Sequence, residues 1–224
     1  MAEIKSIIFD MDGLMFDTER LSFASWRQAA GKYGYEIEEE ILKKTLGTNL
    51  IRTKEIYIQH FGQQFPIDEI VKDRFEIAEQ HIIENGVSVK EGLYVLLDYL
   101  NSLDIKKAVA TSTSRERATN LIKMANVYEH FDYIICGDEI EQGKPHPEIF
   151  LKAAEKLGCL PENCMVLEDS QTGILAAYRA GMMPVMIPDL KEPDEETQKL
   201  LFRQMKNLSE VKLFLEEVYA YKAI

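Results

Sequence analysis

The stretch IKSIIFDMDG, residues 4–13, joins a short apolar run to two carboxylates and a glycine. Its apolar part, Ile4–Phe9, is mostly unbroken rather than alternating, as in strands buried on both faces of a parallel sheet. Four more runs of this kind follow along the chain: Lys107–Ala110, Tyr133–Cys136, Cys164–Leu167 and Pro184–Ile187. Helical patterns alternate with the later runs: Gly92–Ser102, Arg115–Ala125, Pro147–Leu157 and Thr172–Ala180. The sequence therefore predicts a doubly wound, Rossmann-like α/β core around a parallel sheet.

A long helical segment separates the first predicted strand from the second. Residues 18–88 exceed any single crossover helix, and their apolar side chains recur at helical spacing. One stripe, in which six of the seven residues are apolar, is Ile67, Ile70, Val71, Arg74, Phe75, Ala78 and Ile82. The other is Phe23, Trp26, Ala30 and Tyr33. We therefore predict an inserted α-helical cap domain at 18–88 and a core formed by 1–17 and 89–224. Such a cap would open to admit substrate and close to exclude bulk water.

Composition limits the partners and the compartment. The chain has 224 residues and a formal net charge of -12, so its surface should repel nucleic acid and anionic membranes. Its three cysteines form no CxxC pair, which favours reduced thiols and a cytoplasmic location. No apolar run approaches the length of about 20 residues that a membrane helix needs, and the N-terminus lacks signal-peptide features. We expect a monomer.

Carboxylates follow two of the predicted strands at the point where each strand ends. Asp10 and Asp12 follow the first strand, and Glu168 and Asp169 follow the fourth. Open parallel sheets bind ligands at the carboxyl ends of their strands, so these four carboxylates should meet at one edge. Two like charges about 4 Å apart repel by roughly 4 kcal/mol at an effective dielectric of 20, so the cluster requires a cation. Oxygen ligands without His or Cys favour Mg²⁺ over Zn²⁺.

A hydroxyl and a lysine should reach the same edge and suit it to phosphoryl transfer. Ser112 follows the second strand, and Lys144 precedes the Pro147 helix. A carboxylate such as Asp10 can attack phosphorus and form an acyl phosphate. The attack brings one anion toward another, so Mg²⁺ and Lys144 would neutralise charge while Ser112 and backbone amides hold phosphoryl oxygens. Asp12 shares a face with Asp10 in extended backbone and can protonate the leaving alkoxide.

The four motifs together resemble the haloacid dehalogenase-like superfamily. FDMDGLMFDTE, VATSTS, GKPHPEIF and LEDSQTG stand in the order of that superfamily's DxD motif, Ser/Thr, Lys and acidic pair. The helical insertion also falls where the superfamily carries its small cap. FDMDGL followed by DTE is typical of the β-phosphoglucomutase-like phosphatases, which include sugar-phosphate and pseudouridine-monophosphate phosphatases.

This resemblance implies a Mg²⁺-dependent phosphoric monoester hydrolase that works through an aspartyl-phosphate. Its substrate would be a small phosphate ester, either a sugar phosphate or a nucleoside monophosphate. The resemblance implies that Asp10 is the nucleophile and a metal ligand, and that Asp12 is the general acid/base and binds metal through its backbone carbonyl. Asp169 would be a metal ligand, and Glu168 would bind the metal directly or through water. Ser112, Lys144 and the Thr113 amide would bind phosphate.

Two positions depart from the mutases of this subgroup. The mutases have a histidine twelve residues past the nucleophile, where this chain has Ser22. They also have an arginine three residues past a cap-loop glycine resembling Gly47, where this chain has Leu50. Hydrolysis is therefore favoured, and a phosphosugar mutase stays the alternative. A dehalogenase would need neither Asp12 nor Asp169, and a receiver-like regulatory domain would lack the long insertion.

Several assignments stay open at this point. Ser112 could simply cap the Arg115 helix, and Thr111 or Ser114 could be the phosphate contact instead. In the predicted cap, residues that set substrate specificity are expected near the loop 47–49 and on the adjoining helices. The candidates there are Glu19, Asn49 and Arg52, with Arg74 as a further candidate.

Overall fold

A computed structural model describes residues 3–48, 50–103 and 105–220 of the chain. The chain divides into two compact units, one formed by Met1–Asp17 with Ser88–Ile224 and the other by Thr18–Val87. Ser88 therefore falls with the larger unit, one residue before the boundary that the sequence indicates. Among the described helices, none combines the length and apolar character that crossing a bilayer would demand.

One sheet forms the centre of the larger unit. Among the described residues it has six strands, all paired in parallel, in the order β3-β2-β1-β4-β5-β6. The strands are β1 (Ser6–Phe9), β2 (Lys106–Ala110), β3 (Tyr133–Ile135), β4 (Cys164–Glu168), β5 (Met183–Met186) and β6 (Arg203–Gln204). The parallel α/β prediction is confirmed. The short β6 was not predicted, because two exposed polar residues carry no apolar signal.

Helices cover the sheet and complete its core. In this unit they are α5 (Leu93–Ser102), α6 (Arg115–Met124), α7 (Glu148–Leu157), α8 (Gln171–Arg179), α9 (Glu195–Gln198) and α10 (Leu208–Ala220). Ile8 and Val166 pack with Phe150 of α7 and Ala176 of α8 in one buried cluster. Successive strand residues point to opposite faces, so Phe9 lies on the other side, where its ring meets that of Phe131. The central strands β1 and β4 are therefore buried on both faces, as their mostly unbroken apolar sequences predict.

The smaller unit is helical. Its helices are α1 (Thr18–Gly31), α2 (Glu39–Thr45), α3 (Leu50–Phe61) and α4 (Ile67–Asn85). Most of the two predicted stripes are buried, but Tyr33 is 38% exposed and Phe75 is 44% exposed. The core of the unit is aromatic instead: Tyr57 of α3 is fully buried and its ring lies 4.5 Å from that of Trp26. Tyr33 follows α1, where the chain turns at Gly34, so the helical repeat no longer applies to it.

Candidate active site

The turn after β1 places two carboxylates at the carboxyl edge of the sheet. Asp10 continues the strand, and its amide donates to the carbonyl oxygen of Leu167 in β4 at 3.0 Å. The chain then turns at Gly13, which has a left-handed φ of 82°. A Cβ on Gly13 would lie 2.2 Å from Oδ2 of Asp169. Two features therefore require glycine at position 13: the left-handed turn and the close approach of the Asp169 side chain.

Three carboxylates converge at this edge. Asp10, Glu168 and Asp169 each offer a ligand oxygen, and these oxygens all lie within 4.8 Å of one another. Asp10 and Glu168 are buried, at 6% and 0% exposure, and Asp169 is half-buried. The described part of the cluster contains oxygen donors without a nitrogen or sulfur donor, a set that suits Mg²⁺ better than Zn²⁺. Three of the four predicted metal ligands thus meet in space, and the fourth, Asp12, was expected to contribute its backbone carbonyl rather than its carboxylate.

Lys144 lies within this cluster. Its ammonium group forms an ion pair with Oδ1 of Asp10 and a second with Oε1 of Glu168 at 2.6 Å. Its Nζ also donates to the carbonyl oxygen of Ala110, at the end of β2, at 3.1 Å. The lysine side chain is only 7% exposed, so these contacts replace water around the charge. The structure thus places Lys144 at the same sheet edge as the carboxylates.

The charges in this cluster do not balance. Burial raises the pKa of Asp10, Lys144 lowers it, and the neighbouring carboxylates of Glu168 and Asp12 raise it again, which together bring the pKa to about 8. Burial lowers the pKa of Lys144, but Asp10 and Glu168 outweigh burial and leave that pKa above its ordinary value. Lys144 therefore stays charged. If Asp10, Glu168 and Asp169 were all ionised, this single positive charge would leave an excess of negative charge, and the raised pKa of Asp10 reflects its burial and that excess. A cation bound by the carboxylates would supply the missing positive charge.

The Glu168 carboxylate is held by hydrogen bonds from Ser170 and by close packing against Gly173. Its Oε2 accepts hydrogen bonds from the Ser170 amide at 3.0 Å and the Ser170 hydroxyl at 2.8 Å. The same hydroxyl accepts from the Gly173 amide at 3.1 Å and so caps α8. A Cβ on Gly173 would lie 1.8 Å from Oε1 of Glu168. The start of α8 therefore packs directly against this carboxylate.

Asp12 is held by two threonine hydroxyls. Oγ1 of Thr113 donates to Oδ2 of Asp12 at 2.7 Å, and Oγ1 of Thr111 donates to the same oxygen at 3.4 Å. The Thr113 amide donates to Oγ1 of Thr111 at 3.1 Å, a common side-chain turn for threonine. The amide expected to bind phosphate is thus engaged within the loop. Thr113 contributes its hydroxyl instead, which sequence reasoning did not assign.

Ser112 lies between these two threonines. It is exposed, whereas Thr111 is buried and Thr113 is half-buried. The helix α6 begins after Ser114, but no side-chain cap comes from that serine, and Asp138 accepts from the Arg115 amide instead. Ser112 therefore does not cap α6. Its exposed hydroxyl stays the predicted phosphate contact of this loop.

The loop that carries Lys144 has its own supports. Glu148, at the start of α7, accepts hydrogen bonds from the amides of Glu141 and Gln142, each at 2.9 Å. These two amides lower the pKa of Glu148. Arg179 at the end of α8 donates to the carbonyl oxygen of Pro145 at 3.0 Å. Sequence reasoning missed these residues because each acts on backbone groups, which no motif identifies.

The candidate specificity residues lie in the helical unit. Arg52 is exposed and pairs with Glu55 at 2.8 Å, a surface ion pair. Glu19 is half-buried in the first turn of α1, and Asn49 lies outside the described residues. Arg74 is better anchored: its guanidinium lies 4.8 Å from the Trp26 ring centroid. The same guanidinium lies 4.0 Å from the Phe75 ring and donates to the Ser22 hydroxyl at 3.3 Å.

Comparison with known proteins assigns the family. The model of the haloacid dehalogenase-like hydrolases matches residues 7–187. A Thermotoga maritima protein named phosphorylated carbohydrates phosphatase is 31% identical over 80% of this chain and 82% of its own length. A solved Thermotoga maritima structure, provisionally described as a beta-phosphoglucomutase, has a TM-score of 0.81 at 28% identity and covers 96% of this chain and 100% of its own. The CbbY protein of Rhodobacter sphaeroides, solved with phosphate, has a TM-score of 0.75 at 26% identity and covers 93% of this chain and 96% of its own.

The residues that the family model matches span all four sequence motifs and include Asp10, Ser112, Lys144 and Asp169. The family that the motifs resemble is thereby confirmed, as is a hydrolase in its β-phosphoglucomutase-like subgroup. This chain belongs to the haloacid dehalogenase-like hydrolases.

Proposed function

We propose that this protein is a Mg²⁺-dependent phosphatase that hydrolyses a small phosphomonoester through an aspartyl-phosphate on Asp10. The observation that carries the proposal is the convergence of Asp10, Glu168 and Asp169 within 4.8 Å, with Lys144 paired to the first two. The relative named phosphorylated carbohydrates phosphatase supports a phosphorylated carbohydrate as substrate. A nucleoside monophosphate belongs to the same chemical class and stays within the proposal.

The carboxylates Asp10, Glu168 and Asp169 would hold the metal, together with the backbone carbonyl of Asp12. When bound, Mg²⁺ neutralises charge on the phosphoryl oxygens and the carboxylates. The Lys144 ammonium contributes a further fixed positive charge beside Asp10. Ser112, whose hydroxyl is exposed at the same edge, would donate to a phosphoryl oxygen.

Asp10 and Asp12 have different roles in the proposed reaction. An Asp10 oxygen attacks phosphorus, the bond from phosphorus to the ester oxygen breaks, and that oxygen takes a proton from Asp12. In the second half, water attacks the phosphoryl group while Asp12 takes its proton, and the bond between Asp10 and phosphorus breaks. General acid and base are thus one group in two protonation states. A spacing of two residues suits this, because Asp10 directly follows the strand and Asp12 belongs to the turn.

A phosphosugar mutase is the alternative within the same chemistry. It has support from the solved structure described provisionally as a beta-phosphoglucomutase. Against it, Ser22 stands where the mutases have histidine, and its hydroxyl accepts a hydrogen bond from Arg74. A serine in that contact offers no base near neutral pH. Leu50 likewise supplies no cation where the mutases have arginine.

Metal dependence and the nucleophile can be tested together with p-nitrophenyl phosphate. EDTA should abolish turnover and added Mg²⁺ should restore it. Asp10→Asn should abolish turnover with the fold retained, and Asp98→Asn, at an exposed aspartate on α5, is the matched control. Acid quench and peptide mass spectrometry should find the phosphoryl group on the Asp10 peptide. Turnover that persists in EDTA, or in Asp10→Asn, would contradict the proposal.

A mutase would give a different result in the same assays. It would interconvert isomers of a sugar phosphate in the presence of a sugar bisphosphate and release little inorganic phosphate. A panel of sugar phosphates and nucleoside monophosphates, compared by kcat/KM, identifies the substrate class. Isomer formation without phosphate release would favour the mutase.

A further inference from the structure

The side chain of Asp12 is fixed by a device that the sequence motifs do not describe. Its Oδ2 accepts from the hydroxyl of Thr113 at 2.7 Å and from that of Thr111 at 3.4 Å. Both threonines come from the loop after β2, whereas Asp12 comes from the turn after β1. The contact therefore joins two separate loops at the sheet edge through one carboxylate oxygen.

The loop that presents these hydroxyls is well supported. Thr111 is buried, and its amide donates to the carbonyl oxygen of Ile135 at 3.0 Å. The carbonyl oxygen of Thr113 accepts from the Gly137 amide at 3.0 Å. A Cβ on Gly137 would lie 2.2 Å from the carbonyl oxygen of Ser112. Backbone contacts from β3 and the turn after it thus hold both ends of the threonine loop.

We propose that Thr113, supported by Thr111, is a positioning residue for Asp12 in the phosphatase reaction, an inference that rests on the proposed function. The Thr113 hydroxyl holds Oδ2 and so fixes the rotation of the carboxyl group. The carboxyl group held in this orientation delivers a proton to the ester oxygen and later takes one from water. Thr113 touches neither substrate nor phosphorus in this role and acts through Asp12.

The reaction supplies a specific consequence. When the ester bond breaks, its electron pair goes to the leaving oxygen, which takes the proton from Asp12. A p-nitrophenolate is a weak base and leaves with little help from an acid, whereas an alkoxide is a strong base and needs the proton. A misplaced Asp12 should therefore slow alkyl phosphates far more than p-nitrophenyl phosphate. The metal, Lys144 and Asp10 serve both esters alike.

The test compares Thr113→Val, which keeps the shape and removes the hydroxyl, with Thr113→Ser, which keeps the hydroxyl. For each variant, kcat/KM is measured with an alkyl phosphate that the wild type accepts and with p-nitrophenyl phosphate. We expect Thr113→Val to lose about 10-fold with the alkyl ester, part of the roughly 10²–10⁴ that general acid–base catalysis contributes. We expect a loss of no more than about threefold with the aryl ester. Thr113→Ser should restore the wild-type ratio of the two values.

Two controls separate positioning from general damage. Thr119→Val makes the same exchange in α6, away from Asp12, and should leave both values unchanged. Asp12→Asn should show the same preference for the aryl ester in stronger form. Thermal unfolding of each variant establishes that the fold is intact, and Thr113→Ala replaces Thr113→Val if the valine does not fold.

The outcomes are distinct. An equal loss with both esters, or no loss, overturns the positioning role while the proposed phosphatase stands. The positioning role is also overturned if Thr113→Ser behaves like Thr113→Val. If the wild-type enzyme hydrolyses no phosphate ester with Mg²⁺ present, the proposed function itself has failed. A selective loss with the alkyl ester, restored by serine, supports the inference.

Discussion

Replacing Gly173 by alanine tests the carboxylate cluster through one methyl group. Gly173 lies in the first turn of α8 and does not have a left-handed φ, so alanine is compatible with its backbone. In a helix interior, alanine is favoured over glycine by about 1 kcal/mol. The added Cβ, however, would lie 1.8 Å from Oε1 and 1.9 Å from Cδ of Glu168. Any loss of stability or activity must therefore come from Glu168.

The magnitude follows from how Glu168 is held. Real Cβ contacts essentially never fall below 3.0 Å, so Oε1 must retreat by at least 1.2 Å, the difference between 3.0 and 1.8 Å. That displacement breaks its ion pair with Lys144 or its hydrogen bonds with Ser170. Breaking a buried ion pair typically costs about 3–5 kcal/mol. After the gain in helix propensity, a net destabilisation of about 2–4 kcal/mol is expected.

For a domain of this size each kcal/mol lowers Tm by about 2–4 °C, so Tm should fall by about 4–16 °C. Moving catalytic groups by about 1 Å can cost about 10²-fold in rate, and kcat/KM should fall accordingly. The assays are thermal unfolding by circular dichroism and hydrolysis of p-nitrophenyl phosphate with saturating Mg²⁺. Gly31→Ala is the matched control, because Gly31 has open space around its Cβ position and ends α1. Wild-type Tm and activity in Gly173→Ala would show that Glu168 is not held tightly against α8.

Two further predictions concern charge and packing. With metal removed by EDTA, the free energy of unfolding should fall as pH rises from about 4 to about 8. In the folded protein the pKa of Asp10 is raised to about 8, so Asp10 keeps a proton over this range, whereas the unfolded chain releases it. Asp10→Asn should remove the contribution of Asp10 to the slope of unfolding free energy against pH, which is at most about 1.4 kcal/mol per pH unit. Parallel curves of unfolding free energy against pH for the two proteins would contradict a raised pKa at Asp10. Leu97→Ala, at a fully buried position of α5, should cost about 2–5 kcal/mol in urea unfolding. Val95→Ala on the exposed side of the same helix should change it by less than about 0.5 kcal/mol, and equal effects at both positions would refute the packing.

The sheet was predictable because its strands are buried on both faces. Runs such as Ile4–Phe9 and Cys164–Leu167 satisfy that requirement with apolar residues almost alone, and the observed strands lie within one or two residues of them. The register of β1 against β4 then brings Asp10 and Glu168 to the same edge. The edge strand β6 has no buried side chain, so nothing in its composition distinguishes it from a loop.

The acidic residues and Lys144 were predictable for a different reason. Each follows a strand or precedes a helix, so the rule for strand ends places it without knowledge of contacts. Thr111, Thr113 and Ser170 were not predictable in their observed roles, because a hydroxyl beside a turn can equally cap a helix or bond to its own backbone. The supports from Glu148 and Arg179 act on carbonyl and amide groups. Sequence identifies the donor or acceptor there but not its partner.

The electrostatics of Asp10 link its protonation to the metal. Without metal, burial holds the Asp10 pKa at about 8, so the carboxyl group is largely protonated at neutral pH and is a poor nucleophile. A divalent cation held by Asp10, Glu168 and Asp169 would favour the ionised form of Asp10, because a nearby opposite charge lowers a carboxyl pKa. Lys144 alone does not achieve this, since it also pairs with Glu168. Under the proposed mechanism, Asp10 would therefore depend on bound metal both for its ionised state and for charge neutralisation at the phosphate, and both should be lost together when the metal is removed.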